Sequence, residues 1–491
     1  MASYYRRYWP RNITATILLL VVAIIVIRLA ANRLRNGTRA DDNDDFVPPQ
    51  IDFPRHSDFA RTLREVASDD NTVVIAVIDA NYAEVALNFY ASSIKRHGIE
   101  NMIYVSLDEG TCDILAGAFP EMRHRCFLHK DISAASDTVL QQSRNYKEKT
   151  YLRRFFILEA LKLRHNVIVT DVDMVFVGNP LADIKRTCGR CDLAIMWDGH
   201  QENYDGGLVF AKATDRTITF YNRLASYELS HGTGRLALNT ALKETKKKKL
   251  ALKVETLSTK KYKVGIEFFA HNSCPEKKAY KGVLVIHNNY IMEAPNKVFR
   301  LKECMLWDWD GFDGYFTNAS RRYLTVESAG PRGHPEHQSL LNAFSLAKLL
   351  HRTVVLPYLE CKKSKCNLLM RMYDHSHLHF IGRFNSVTAG NYRECTFLSN
   401  PRVPSAIKDS NSPMFHIAFR DDNTKVTSHG EPVRHLVPKD LNAGPTVREI
   451  FGWLAGRPER VIRFDSLTGW FSHINHVNIL GENLVKIIRE L

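Results

Sequence analysis

Apolar runs of two lengths alternate along most of the chain. Val73–Ile78 is an unbroken apolar stretch of strand length that stops at Asp79. Ala83–His97 then carries Val85, Phe89 and Ile94 near helical spacing and ends at Gly98, and Met102–Leu107 is a second strand-length run closed by Asp108. Strand, helix and strand within about 35 residues predict a βαβ unit, with a parallel pair and a right-handed crossover. Further on, Lys149–Arg164 places Leu152, Phe155, Phe156, Ala160 and Leu163 on one helical face. Asn166–Thr170 reads as a strand running into Asp171-Val172-Asp173; Asp192–Trp197, Leu208–Ala211 and Val283–Ile286 read as others, the last ending at His287. Strands alternating with helices, and ligand-type side chains at strand C-termini, predict an α/β fold on an open sheet that binds its ligand at those ends.

Beyond about residue 305 the pattern restarts. Gly311–Gly314 and Gly330–Gly333 are loop-like, Gln338–His351 has a helical apolar face, and Thr353–Leu356 is a strand ended by Pro357. This predicts a second α/β domain over 305–491 after a first over 71–304. No internal repeat is evident. At the other end, Ile13–Ile27 carries no charge and extends to Ala31 if Arg28 snorkels, close to the ~30 Å a membrane core requires. No Ala-x-Ala cleavage pattern follows, since Leu29 precedes Ala30-Ala31. The expectation is an uncleaved signal-anchor over 13–31 behind a cytoplasmic tail of 1–12. Residues 32–70 read as a stem, with Asn36-Gly37, an acidic run at Asp41–Asp45 and Pro48-Pro49.

Composition narrows the class. The chain has 491 residues, 45% apolar and 24% charged, which excludes a disordered or low-complexity protein. A single long apolar run excludes a polytopic transporter. The net charge of +14 is spread along the chain. Its densest cluster, Lys246–Lys249, lacks interleaved aromatics and reads as a solvated loop, so no nucleic-acid partner is expected. All nine cysteines follow the apolar run. The pairs Cys188/Cys191 and Cys361/Cys366 lie too far apart in sequence to suggest a shared zinc site, so disulfides with one thiol left over are expected. Arginines flank the anchor on both sides and do not decide its orientation. The cysteines, with sequons at Asn36 and Asn318, put the body in the lumen.

The sharpest chemical signal is Asp171-Val172-Asp173 behind its apolar strand. A hard divalent ion takes oxygen ligands and keeps diphosphate oxygens among them, which two aspartates one residue apart can serve. The bland alternative is a strand-end turn with solvated carboxylates. Both aspartates are expected at a solvent-facing strand end. Lys149, Arg153 and Arg154 suit a diphosphate clamp, and equally the polar face of a helix. His375-x-His377-x-His379 reads as an exposed edge strand rather than a metal site.

Thr72-Val-Val-Ile-Ala-Val-Ile-Asp79, Lys149-x3-Arg153 ahead of Asp171-Val-Asp173 and Asn179-Pro180, Asn203-Tyr-Asp-Gly-Gly207-Leu-Val-Phe, and Val285-Ile-His287-Asn-Asn289 occur in that order. From Val73 to about Arg300 the chain thereby resembles the nucleotide-diphospho-sugar transferase family, GT-A glycosyltransferases that include plant arabinosyl- and xylosyltransferases. The resemblance implies a GT-A, Rossmann-like catalytic domain, a retaining transfer from a nucleotide-sugar donor, most simply a UDP-sugar, and Mn²⁺, with Mg²⁺ as the alternative ion. It implies that Asp171 and Asp173 bind metal and donor, and that His287 completes the metal shell. Asp79, Ala80 and Asn81 stand where the family holds the nucleoside, with Arg153 toward the diphosphate. Asp205, Gly206 and Gly207 occupy the place of an Asn-x-Gly loop beneath the donor sugar, where Asp205 is a catalytic candidate beside Asp173. One departure stands out: Gly234-Arg235 replaces an Asp-Gln that often precedes the Leu-Asn pair, here Leu238-Asn239.

Gly333-His-Pro-Glu-His337-Gln338 through Arg352-Thr-Val-Val-Leu-Pro357 bears a weaker likeness to the opening of fucosyltransferase-type GT-B segments. The expected protein is a Golgi type II membrane glycosyltransferase acting on a glycan or glycoprotein. The alternatives are a bifunctional two-domain transferase, or a lectin-like scaffold on a transferase fold.

Overall fold

The longer strands before residue 305 follow the apolar runs, and several short ones join them. In the computed structural model these are β1 (Thr72–Ile78), β2 (Met102–Ser106), β3 (Cys126–Leu128), β4 (Asn166–Thr170), β5 (Met174–Phe176), β6 (Leu193–Trp197), β7 (Tyr204–Ala211), β8 (Val254–Thr256), β9 (Tyr262–Lys263) and β10 (Val285–His287). The structure describes residues 57–128, 144–199, 203–231, 234–247, 251–269, 280–291, 293–326, 336–357, 392–408, 414–416, 433–435, 454–464, 467, 476–482 and 485. All lie in one compact unit, Asp52–Leu491. The expected anchor at 13–31, most of the stem, Asn36 and the His375–His379 triplet fall outside the described residues. Among the described residues no helix is long and apolar enough to cross a membrane.

A seven-stranded sheet runs β3-β2-β1-β4-β7-β6-β8. The βαβ unit is there: β1 lies parallel to β2 and to β4. Only β7 runs against the rest, antiparallel to β4 and β6. Apart from Val77, every residue of β1 and β2 is buried, as expected of strands covered on both faces. A small second sheet, β5-β10-β9, stands beside it.

Four elements depart from the sequence expectation. The Ala83–His97 helix is α-helical only to Phe89 and continues as a π-helix over Tyr90–Lys95. β7 starts at Tyr204 and takes in Asp205-Gly206-Gly207, which break the apolar pattern. His287 is the last residue of its strand rather than the residue after it. Lys246 and Lys247, expected in a loop, form the exposed last turn of the Arg235–Lys247 helix.

A third, six-stranded sheet lies beyond residue 305. It comprises β11 (Tyr323–Val326), β12 (Thr353–Val355), β13 (Tyr392–Arg393), β14 (Met414–His416), β15 (Val433–His435) and β16 (Val461–Phe464), in the order β13-β12-β11-β16-β14-β15. Every pairing in it is parallel. Its two faces serve different cores. Tyr323, Val355 and Val461 join the cluster under the first sheet, while Leu324, Val354 and Ile462 pack with Leu341 and Phe344 of the Glu336–Leu349 helix. Two disulfides, Cys112–Cys126 and Cys188–Cys191, staple the first part; Cys304 is disulfide-bonded as well, and Cys395 is the free thiol among the described residues.

Candidate functional site

The chain leaves the large sheet at Thr170 and enters the small one at Met174, and Asp171-Val172-Asp173 is that junction. Two backbone bonds fix it. The Asp171 N–H donates to the Gly207 carbonyl of β7 (2.8 Å), and the Asn288 N–H donates to the Asp173 carbonyl (2.9 Å). The antiparallel register sets His287 opposite Met174, beside Asp173. His287 Nε2 then lies 3.2 Å from Asp173 Oδ1 and 3.5 Å from Asp171 Oδ2. One donor atom from each of Asp171, Asp173 and His287 falls within 4.8 Å of the others.

A register shift opens the space in front of them. On β6 the pairing jumps between Ile195, opposite Val209, and Met196, opposite Asp205, so Gly206, Gly207 and Leu208 drop out of that ladder. A Cβ at Gly207 would meet His287 Cε1 at 2.4 Å, Asp171 Oδ2 at 2.8 Å and the Met174 methyl at 2.8 Å. Only glycine leaves the three candidate ligands room to face one another.

Asp205 stands behind the histidine. Its Oδ2 accepts from His287 Nδ1 (2.5 Å) and Asn289 Nδ2 (3.0 Å), and its Oδ1 accepts from the Gly207 N–H (2.9 Å). Both oxygens are spent on holding neighbours, and the residue is buried. Burial disfavours an imidazolium, yet Asp205 and Asp173 outweigh it and push His287 up to about 10. Cations meet the paired aspartates too. Arg153 Nη1 lies 2.5 Å from Asp171 Oδ1, and its Nη2 donates to the Gly206 carbonyl (2.9 Å). Lys297 Nζ donates to Asp173 Oδ2 (2.6 Å) and to the Asn288 carbonyl (3.1 Å). Burial pushes the Asp171 carboxyl up against the pull of Arg153. At Asp173 burial acts the same way, but Lys297 and His287 prevail and hold it well below the usual carboxylate range.

Of the expected site residues, Asp171, Asp173, His287, Asp205, Gly206, Gly207 and Arg153 come together. Asp79, Ala80 and Asn81 sit at the end of β1, the strand next to β4. Asp79 Oδ1 accepts from the Asn81 N–H (3.0 Å), and the Ala80 N–H donates to Asp108 Oδ2 (2.6 Å). One expectation is corrected: Asp173 is 5% exposed and ion-paired, not solvent-facing, because the Ala294–Glu303 helix covers it with Lys297. Only Asp171 keeps an open side.

Lys297 and Arg300 were not pointed to by the sequence pattern, and Asn289 entered only as part of the motif around His287. Arg300 donates through Nε to Asn288 Oδ1 (2.6 Å) and through Nη2 to the Asn289 carbonyl (2.8 Å), with its guanidinium over the Phe269 ring. The available signal was the repeated cation on one face of a helix with Pro295 in its first turn, shortly downstream of His287.

Two carboxylates and an imidazole gathered at the strand ends of an open α/β sheet, with cations behind them, form a group that could hold a metal ion. Residues 97–301 match the profile of the nucleotide-diphospho-sugar transferase family. This segment is therefore a glycosyltransferase-family domain, as the resemblance implied. Two arabinosyltransferases of Arabidopsis thaliana, RRA2 and RRA1, are each 30% identical, over 33% and 34% of this chain and 34% and 38% of their own. The chain thus spans little more than a third of these curated relatives. Mouse xyloside xylosyltransferase 1 aligns with 44% of this chain and 97% of its own at 11% identity and a TM-score of 0.31, a likeness too weak to carry any argument about function.

Proposed function

We propose that the chain is a metal-dependent glycosyltransferase that moves a sugar from a nucleotide-diphosphate donor, a UDP-sugar, to a glycan or glycoprotein acceptor. The observation that carries this is the closure of Asp171, Asp173 and His287 onto one point within a nucleotide-diphospho-sugar transferase domain. The donor set suits the ion the family implies. Two hard oxygens and an imidazole nitrogen favour Mn²⁺ over Mg²⁺, which prefers oxygen alone. Asp205 pairs with Nδ1 and fixes the ring, so Nε2, once it has given up the proton it shares with Asp173, would be the nitrogen that faces the metal. When bound, the ion neutralises the departing nucleoside diphosphate.

The protein's own groups do the rest. Arg153 and Lys297, paired with Asp171 and Asp173, would be the cations placed to meet diphosphate oxygens if those carboxylates held a divalent ion. Asp79–Asn81, at the neighbouring strand end, receives the nucleoside. Asp205 acts through His287, which replaces the sugar-facing role expected of it. Transfer with retention then proceeds by attack on the same face as the leaving group, with no committed protein nucleophile. The division into a transferase domain over 71–304 and a second domain over 305–491, an acceptor-binding or structural unit, belongs to the same proposal. So does a Golgi, type II setting with a luminal body. A donor-hydrolysis screen over UDP- and GDP-sugars with Mn²⁺ tests it, with UDP-arabinose first because the relatives are named for that sugar. Hydrolysis of a UDP-sugar that chelation abolishes is expected. Absence of both nucleotide binding and turnover across the panel would overturn the reading.

A further inference from the structure

Asp192 and Asp198 flank β6, each 1% exposed and each answered by an arginine. The two arginines are used differently. Arg216 meets Asp192 with Nε (2.9 Å) and Nη2 (2.8 Å), spending the side-on edge of its guanidinium. Arg300 spends the same edge on Asn288 and Asn289. Arg235 instead touches Asp198 with Nη1 alone, 2.8 Å from Oδ2 and 3.0 Å from Oδ1, and the same nitrogen donates to the Tyr290 hydroxyl (3.1 Å). Among the described residues nothing engages its Nε–Nη2 edge, and the side chain is 53% exposed.

Arg235 is linked to the carboxylate cluster through Tyr290. Tyr290 follows directly on Asn289, which bonds Asp205. It takes a left-handed backbone (φ 57°) where its hydroxyl lies 2.9 Å from Asp198 Oδ1 and 2.7 Å from the Asp198 carbonyl. One turn along the helix from Arg235, Asn239 clamps Tyr204, the neighbour of Asp205, through both its N–H (2.7 Å) and its carbonyl (2.9 Å). Arg235 is thus held by one nitrogen and a phenol on a rigid support, with its bidentate edge unspent. Arg216, on the other buried aspartate, makes a bidentate pair through its side-on edge, whereas Arg235 leaves that pairing unmade toward Asp198.

We propose that Arg235 is a specificity-determining residue whose free edge takes the carboxylate of an acidic sugar. Two parallel N–H···O bonds suit a uronic acid, and a neutral sugar leaves the edge half used. The inference rests on the reading of this crevice as a nucleotide-sugar site. The acidic unit is either the transferred sugar or the acceptor.

Two arms separate those sources. The donor arm compares Mn²⁺-dependent turnover of UDP-glucuronate and UDP-galacturonate with that of UDP-glucose and UDP-galactose. The acceptor arm compares transfer, from the best donor, onto oligogalacturonides and onto their methyl esters. A preference for the free acid of about tenfold or more is expected in one arm. Arg235→Gln should reduce it toward one. Arg235→Lys, which retains the charge on Asp198 but not the fork, should also lose most of it, and it serves as the test if the glutamine variant folds poorly. If wild-type protein binds UDP with Mn²⁺ yet both arms show equal rates, or if the preference survives both substitutions, the inference is wrong. Failure to bind UDP with Mn²⁺ would instead bring down the nucleotide-sugar reading first, and this inference with it.

Discussion

Gly207 decides whether the candidate ligands can meet. A methyl at this position would run into His287 and Asp171, and the imidazole cannot retreat because Asp205 and Asp173 hold it from two sides. Gly207→Ala should therefore weaken Mn²⁺-dependent nucleotide binding by at least about tenfold, with an overpacking cost of about 1–3 kcal/mol in stability. Calorimetric titration and thermal unfolding of the variant measure both; unchanged metal dependence would show that nothing binds in that space. At this scale the sequence was uneven. Asp171 and Asp173 were legible because an apolar strand delivered two carboxylates to its end, and His287 because it closes another such run. Lys297 and Arg300 were not, since cations in an amphipathic helix look the same whether they face water or a buried carboxylate. The burial of Asp173 was hidden for the same reason, because its cover arrives from a helix far along the chain.

The Ala294–Glu303 helix links the candidate site to the third sheet. Its first turns present Lys297 to the Asp173 carboxylate and Arg300 to the Asn288 side-chain oxygen, and its end sits against the segment following β13, where the Thr396 hydroxyl donates to the Glu303 carbonyl (2.7 Å). Burial, reinforced by the nearby Glu394 carboxylate, pushes Glu303 up to about 7, with the Cys395 thiol beside it at 3.7 Å. An acid whose folded-state value is raised binds its proton more tightly when folded. Its contribution is therefore undiminished at low pH and is lost as pH rises from the ordinary glutamate range to about 7. Burial moves Glu394 in the same direction. Thermal unfolding across this window should show stability falling as pH rises, and Glu303→Gln should flatten part of that fall. Identical pH profiles for the two proteins would contradict a buried, protonated Glu303. Element limits followed the apolar pattern to within a residue where strands are almost entirely buried, as in β1, β2 and β4. They failed at β7, whose first residues are chosen for the bulge at Gly206-Gly207 rather than for a core.

Across the whole molecule the three sheets are less separate than the restart of the pattern at residue 305 suggests. Alternate residues of β11 and β16 join different cores, so one face of the third sheet closes the hydrophobic cluster beneath the first. Apolar patterning showed that a second set of strands existed, but periodicity along one segment says nothing about which distant segment its faces will cover. The same limit applies to the candidate site, which draws on β4, β7, β10 and the helix after it. The claim that joins these elements is that Asp171, Asp173 and His287 hold a divalent ion that in turn holds a nucleoside diphosphate. Titration of UDP into the full chain, with and without Mn²⁺, for wild type and Asp171→Asn tests it most directly. Asp171 is the right residue to change, because its side chain is partly open while Asp173 also supports Lys297. The expected result is UDP binding that strengthens at least about tenfold with Mn²⁺ in the wild type. In Asp171→Asn that gain should vanish without a comparable loss of thermal stability. UDP affinity indifferent to Mn²⁺ in the wild type, or an equal gain in both proteins, would contradict it.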